Sequence, residues 1–358
     1  NRVEIGRENH VVSMAMGLAT QHGVFPLFYK FLKEHEREIP AGNVIQDHKL
    51  SYLGNVGRNM QLTQRLLNIL DLLSGNGVRA IPFKGPVIAV QAYGDIGLRS
   101  FCDLDMLIRP EDFFRVYDLM ESTEYRSIKP MIARVKGLWR KTRRSFEFQG
   151  ENFFVDFHQQ VAQGPWFLDL KIEWDNLSRV ELNGRKVPCM NLEDTILMLA
   201  MHGTHHGWEL LKYVADFAHM VSRQKHEIDW EKLVRKAGGM GVLRMVLIGM
   251  LLGRTFCGLT IPERIEELVA GDGKLAKLVT HFKGQVLETR KSSLIPQTAL
   301  PRCLASRRFQ FRYLAYYLFN PTNMDVLAVR LPMFLYPLYF IIRPVRLLVN
   351  LAKGRKLS

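Results

Sequence analysis

The sequence predicts an α+β protein in which a small mixed sheet carries helical additions on its amino- and carboxy-terminal sides. Three observations carry this expectation. An apolar stripe at helical spacing precedes residue 75, strand-like segments cluster between Val78 and His158, and the pattern turns helical again from Asn191. With 358 residues, 47% of them hydrophobic, the chain can fill sizeable cores and more than one domain. The pattern divides it into a helical region over 1–75, a sheet-bearing core over 76–190, a helical domain over 191–300, and a basic, apolar tail over 301–358 packing on the fold or on a membrane surface.

Taken in order, His48 to Leu73 places Leu53, Met60, Leu62, Leu66, Leu67, Ile69, Leu70 and Leu73 on a helical stripe, and Gly75-Asn-Gly77 stops it. A strand over Val78–Phe83 leads to Lys84-Gly85-Pro86 and a helix over Val87–Tyr93, then to a turn through Gly97. A second strand spans the acidic segment Asp103–Ile108. Pro110-Glu-Asp opens a helix reaching about Ser122, because proline and acidic residues suit a first helical turn. Arg144–Gln149 and Phe153–His158 read as strands joined at Gly150-Glu-Asn in a hairpin. Asn191 suits a helix N-cap, helices continue to about Leu287, and Gly238–Gly241 marks a break among them. Leu331–Leu351 is strongly apolar, yet Pro332, Pro337, Pro344, Arg343 and Arg346 argue against a membrane-spanning helix. A buried closing element of the fold is the first expectation for this segment. A lipid-surface or partner-docking segment flanked by Arg346, Lys353, Arg355 and Lys356 is the second.

Lys and Arg outnumber Asp and Glu by 49 to 35, a formal net charge of +14 that favours anionic partners. Cys102, Cys189, Cys257 and Cys303 are scattered without C-x-x-C spacing, which argues against a zinc module or a disulfide framework and fits a reducing cytoplasm. No secretory pattern is read at the amino terminus, so the expected location is cytoplasmic, with peripheral contact to the inner membrane through 331–358 as the second reading.

Chemistry is concentrated around Asp103 and Asp105. Alternation along a strand turns both carboxylates to one face, where two like charges are costly unless something positive lies between them. A divalent cation, Mg²⁺ or Mn²⁺, is the usual solution, and with substrate phosphates it points to phosphoryl or nucleotidyl transfer. Asp156 on a later strand supplies a third carboxylate for a two-metal site. Lys84 offers a point charge for a triphosphate, Gly85 lets the backbone approach a phosphate, and Arg99 offers either a forked donor to a phosphate oxygen or a structural partner for Asp95 or Asp103. His158 shares a face with Asp156. His202 and His206, four apart on a helix, share another, suited to packing or polar linkage between domains or to nucleotide or acceptor contact, and less to a metal because no third ligand follows at suitable spacing. Asp216 is placed to pair with a histidine or with Lys212.

Phe83-Lys-Gly85, Tyr93-Gly-Asp95, Leu98-Arg99, Asp103–Ile108 and Val155-Asp-Phe-His158 together resemble an uncharacterised bacterial nucleotidyltransferase family of the polymerase-beta-like superfamily. Met201–Trp208 with Leu210–Asp216, and Phe311–Leu314 through Asn320-Pro-Thr and Arg343-Pro344, resemble its histidine-rich and carboxy-terminal segments. The resemblance covers most of the chain beyond about His48. It implies Gly85 as the phosphate-proximal glycine, Asp103 and Asp105 as metal ligands and Asp156 as the third acid. Pro86 departs from it, standing where many members carry a glycine or serine. The expected activity is metal-dependent transfer of a nucleoside monophosphate from an NTP such as ATP to a small-molecule or protein acceptor. One alternative is a catalytically inactive nucleotide-binding or scaffold protein, and another is an RNA-modifying enzyme. The latter is less favoured because the basic residues are dispersed.

Overall fold

A computed structural model describes residues 2–39, 42–128, 145–161, 168–288 and 300–352. Three helices come first: α1 (Arg2–Gln21), α2 (Phe25–Glu34) and α3 (Gly42–Gly75). The carboxy-terminal half of α3 buries Leu62, Leu66, Ile69 and Leu73. Between Leu53 and Thr63 the helix departs from the expected stripe, because Leu53 and Met60 are exposed while Asn55, Asn59 and Thr63 face inward. The buried amides are employed. Asn55 donates to the carbonyl of Gly97, and Asn59 donates to those of Ile96 and Arg99, at 2.7–2.9 Å. Backbone carbonyls in a buried loop need donors, and α3 supplies them by side chain.

The five-stranded sheet has the order β1 (Ala80–Pro82), β2 (Asp103–Ile108), β5 (Phe154–His158), β4 (Ser145–Gln149), β3 (Arg126–Ser127). β2 and β5 run parallel and the other neighbours antiparallel, which makes the sheet mixed as expected. Arg144, the expected start of β4, lies outside the described residues. Between β1 and β2, α4 (Pro86–Ile88) passes into a π-turn at Ala89–Tyr93 in place of an uninterrupted helix. α5 (Phe113–Glu121) follows β2. Alternation sends Leu104, Met106, Ile108, Val155 and Phe157 into one core with α3 and α5. It turns Asp105, Asp156 and His158 to the opposite side. A separate hairpin, β6 (Ser178–Leu182) and β7 (Arg185–Cys189), turns on Asn183 and Gly184, both at positive φ. Asn-Gly between strand-like runs is a strong hairpin signal.

Beyond the sheet lie α6 (Leu192–His205), α7 (Leu211–Arg223), α8 (Trp230–Met240), α9 (Leu243–Cys257), α10 (Glu263–Ala270) and α11 (Leu275–Leu287). Leu197, Phe217, Met220, Ile248 and Leu252 form their core, which Ile81 and Phe83 of the sheet join. Asn191 begins α6, but its side chain makes no cap bond; its Oδ1 accepts from Ser178 instead, tying α6 to β6. The break expected at Gly238–Gly241 falls at its last residue, where Gly241 ends α8 at φ +74°.

The tail forms α12 (Arg307–Phe319), α13 (Asn323–Ala328) and α14 (Tyr339–Ala352). Among the described residues, no helix is long and apolar enough to cross a membrane. Leu331–Leu351 is only in part a buried closing element. Tyr339, Arg343 and Leu347 are buried, whereas Phe334, Ile341 and Leu348 are well exposed. Lys353, Arg355 and Lys356 lie outside the described residues.

Candidate active site

Parallel pairing of β2 with β5 places Asp105 directly beside Asp156, and Leu107 beside His158. Two adjacent carboxylates on one sheet face repel, so their charge has to be balanced locally. Lys84, two residues beyond β1, brings Nζ to 2.8 Å from Oδ1 of Asp105. Nε2 of His158 lies 3.0 Å from the same oxygen and 3.1 Å from Oδ2 of Asp156, bridging the two acids. The His158 ring is further fixed edge-on against Phe83.

Burial alone would raise the Asp105 pKa, but Lys84 and His158 outweigh it and hold the carboxyl well below the usual range. Burial likewise opposes charge on His158, yet hydrogen bonds to Asp105 and Asp156 push the imidazole up to about 9. The ring therefore carries both protons near neutrality. Oδ1 of Asp156 is buried without a hydrogen-bond partner. Among the described residues, Asp105, Asp156 and His158 form the group whose ligand atoms all lie within 4.8 Å of one another.

The other expected residues surround this group. Asp103 lies two positions earlier on the same face of β2, exposed and outside that tight group. Gly85 has φ +49°, and a Cβ there would meet the carbonyl oxygen of Asp103 at 3.4 Å. Only glycine adopts this backbone readily, so the loop after β1 can lie against the start of β2.

Arg99 is buried, and its Nε donates to both carboxylate oxygens of Asp216 at 3.0–3.1 Å. Tyr93 donates to the same carboxylate at 2.8 Å. Asp216 thus pairs with Arg99 and Tyr93 rather than with a histidine or Lys212. Nζ of Lys212 donates to the carbonyl of Ser100 at 2.7 Å. These contacts tie the segment entering β2 to α7. Asp95 adds a side-chain cap, its Oδ1 accepting from the Gly97 N–H.

His202 and His206 lie at the end of α6, half-buried, with ring centroids 4.6 Å apart, and His206 stacks on Tyr213. Burial, followed by the positive charge of Lys84, pushes His202 well below the ordinary imidazole value. Burial, followed by His205 and Lys84, pushes His206 down to about 4. Both rings are therefore neutral near pH 7, and both feel the charge of Lys84. Neither belongs to a three-ligand metal group among the described residues.

Glu147 was not anticipated from sequence. It sits opposite Asp156 in the β4–β5 pairing, on the acidic face. Counting back from the hairpin at Gly150 places this position opposite Asp156.

The depressed histidines have a consequence for stability. Below about pH 6.5 the unfolded chain protonates these rings while the folded chain does not. Stability is therefore expected to fall as pH drops from about 6.5 toward 4. A series of thermal melts across that window measures it, and His206→Gln should flatten the decline. An unchanged acid limb in His206→Gln would remove His206 from this account.

Residues 13–258 match the model of a family described as "Uncharacterised nucleotidyltransferase". No curated protein matches this chain. Among solved structures, ANT(2'')-Ia in complex with adenylyl-2''-tobramycin is similar over 50% of this chain and 97% of its own, at 13% identity and TM-score 0.37. The lincomycin-bound lincosamide antibiotic adenylyltransferase LnuA is similar over 44% of this chain and 96% of its own, at 20% identity and TM-score 0.33. A solution structure of the antibiotic-resistance factor ANT(2'')-Ia covers 60% of this chain and 97% of its own, at 13% identity and TM-score 0.34.

Proposed function

This chain belongs to the family of uncharacterised nucleotidyltransferases, and from that premise we propose that it moves a nucleoside monophosphate from a nucleoside triphosphate to a small-molecule or protein acceptor. The observation that carries the reading is the in-register pairing of Asp105 with Asp156, bridged by His158, with Oδ1 of Asp156 buried and unpartnered.

These residues fit a divalent cation. Carboxylate oxygens are the donors that Mg²⁺ and Mn²⁺ take, and a buried oxygen lacking a hydrogen bond suits a cation ligand. Asp105 and Asp156 would hold the ion, with Asp103 joining from the same strand face. When bound, it would offset the charge developing on the phosphate oxygens.

The chain's own groups do the rest. Lys84 places a positive charge where the triphosphate lies, and Gly85 lets the backbone approach a phosphate without a Cβ in the way. Asp156, oriented by His158, stands on the acceptor side and takes the proton of the attacking hydroxyl or amine. The acceptor atom bonds to the α-phosphorus as the bond to the leaving pyrophosphate breaks. Neutral His202 and His206 line the lysine side and contact nucleotide or acceptor. Arg99, held by Asp216, positions the segment entering β2. A reducing cytoplasm is the compartment we propose, since Cys102, Cys189, Cys257 and Cys303 are all free.

Pyrophosphate release from each of the four common NTPs, measured with Mg²⁺ or Mn²⁺ across hydroxyl- and amine-bearing acceptors, tests the reading. Release that stops on chelation and resumes on metal readdition is expected. Tight NTP binding with no release across the panel would favour a non-catalytic nucleotide-binding protein instead.

A further inference from the structure

We propose that the outward faces of α12 and α14 dock on an anionic lipid surface. The first observation is a helix turned inside out. In α14, Tyr339, Arg343 and Leu347, spaced by four, face inward. Arg343 reaches Asp325 at 3.0 Å and Arg346 reaches it at 2.6 Å, and Asp325 is fully buried. Tyr339 donates to the carbonyl of Val329 and accepts from the N–H of Leu331. The polar network therefore lies inside.

The apolar stripe lies outside. Ile341, Val345 and Leu348, at positions i, i+4 and i+7, are 64%, 55% and 68% exposed. In α12, Phe311, Leu314 and Leu318, at i, i+3 and i+7, form a second stripe, 73%, 48% and 43% exposed. Phe334, just before α14, is 79% exposed. A helix facing water normally shows the reverse arrangement, and exposed apolar stripes of this kind mark a surface that something else covers.

Charge selects the occupant. Asp325 is the sole acid between residues 300 and 352, and its charge is enclosed by Arg343 and Arg346. In the same stretch of chain as the stripes, Arg302, Arg307, Arg308 and Arg330 are exposed. A second copy would set arginine against arginine. An anionic bilayer instead accepts apolar side chains at the acyl boundary and guanidinium groups at the phosphates. Since no described helix can cross a membrane, the mode is interfacial.

The face is also tied to the rest of the molecule. Arg244 of α9 is buried and donates to the carbonyls of Arg302 and Leu304 at 3.0 and 2.6 Å, while its Nε pairs with Asp272. Docking would thereby fix α9, and the helices packed on it, relative to the membrane.

Flotation of the full chain with vesicles of phosphatidylcholine alone, or of phosphatidylcholine with phosphatidylglycerol, tests this. Binding to the anionic vesicles is expected, weakened by salt and absent with phosphatidylcholine alone. Two triple variants, Ile341→Ser/Val345→Ser/Leu348→Ser and Arg307→Glu/Arg308→Glu/Arg330→Glu, should each lower the partition coefficient by at least about a hundredfold. Phe334→Trp, at a site too exposed to disturb folding, should show blue-shifted emission on anionic vesicles. No flotation, equal binding to neutral vesicles, or unshifted emission from Phe334→Trp would overturn the proposal. So would concentration-dependent self-association, seen by light scattering, that the serine variant removes.

Discussion

Asp105→Asn is expected to abolish nucleotidyl transfer, lowering turnover by about a thousandfold or more while the fold survives. Asparagine keeps the shape of aspartate and can still accept from Lys84 and His158, so packing at this buried position is retained. It loses the negative charge that the surrounding cations require. Lys84 and His158 would then face Asp156 as the nearest described acid of the cluster, leaving positive charge uncompensated in a buried site. Pyrophosphate release, read beside a thermal melt, separates lost chemistry from lost structure. The chemical loss should be near complete, with a stability cost on the order of 1–3 kcal/mol. Wild-type turnover by Asp105→Asn would take this carboxylate out of the proposed mechanism.

Asp216→Ala is expected to give the largest loss of stability. Arg99 and Asp216 are both buried and share two charge-assisted hydrogen bonds, and Tyr93 gives a third to the same carboxylate. Burial works against charge on Arg99, but Asp216 overcomes it and raises its pKa further. Truncating Asp216 leaves a buried guanidinium without its counter-charge and a buried tyrosine hydroxyl without its acceptor. A cost of roughly 3–5 kcal/mol follows, lowering Tm on the order of 10 °C. Removing both charges should be milder, so Arg99→Met/Asp216→Leu is expected to melt above Asp216→Ala. A double variant as unstable as the single one would mean that shape at this position, not charge, sets the cost. Because this pair ties α7 to the segment entering β2, Asp216→Ala should also slow turnover at a temperature where the protein remains folded.

The parts of the fold read most directly from sequence are those governed by local period. The acidic strand, the hairpin at Gly150 and the helices after Asn191 follow from alternation or helical spacing, together with the glycines that end them. Legibility failed where burial broke local rules. Asn55 and Asn59 look like solvent-facing positions of α3 until the loop carbonyls they satisfy are placed beside them. Leu331–Leu351 reads as core by composition, yet α14 turns its ion-paired side inward, because Asp325 lies there to receive Arg343 and Arg346.

The candidate site divides the same way. Lys84, Asp105, Asp156 and His158 all stand out in the sequence, and the structure brings them together. The partner of Arg99 was beyond reach, since Asp216 stands 117 residues away and nothing in either segment specifies the other.

By itself the sequence determined that this is an α+β protein whose central strands carry an acid pair followed by a third acid, because period and residue chemistry are local properties. Only the tertiary structure decided which acids share a site. Parallel register between β2 and β5 sets Asp105 against Asp156, with His158 bridging them, while Asp103 stays exposed at the strand's start. Register and long-range ion pairing depend on how distant segments meet, and burial then sets which charges they must share.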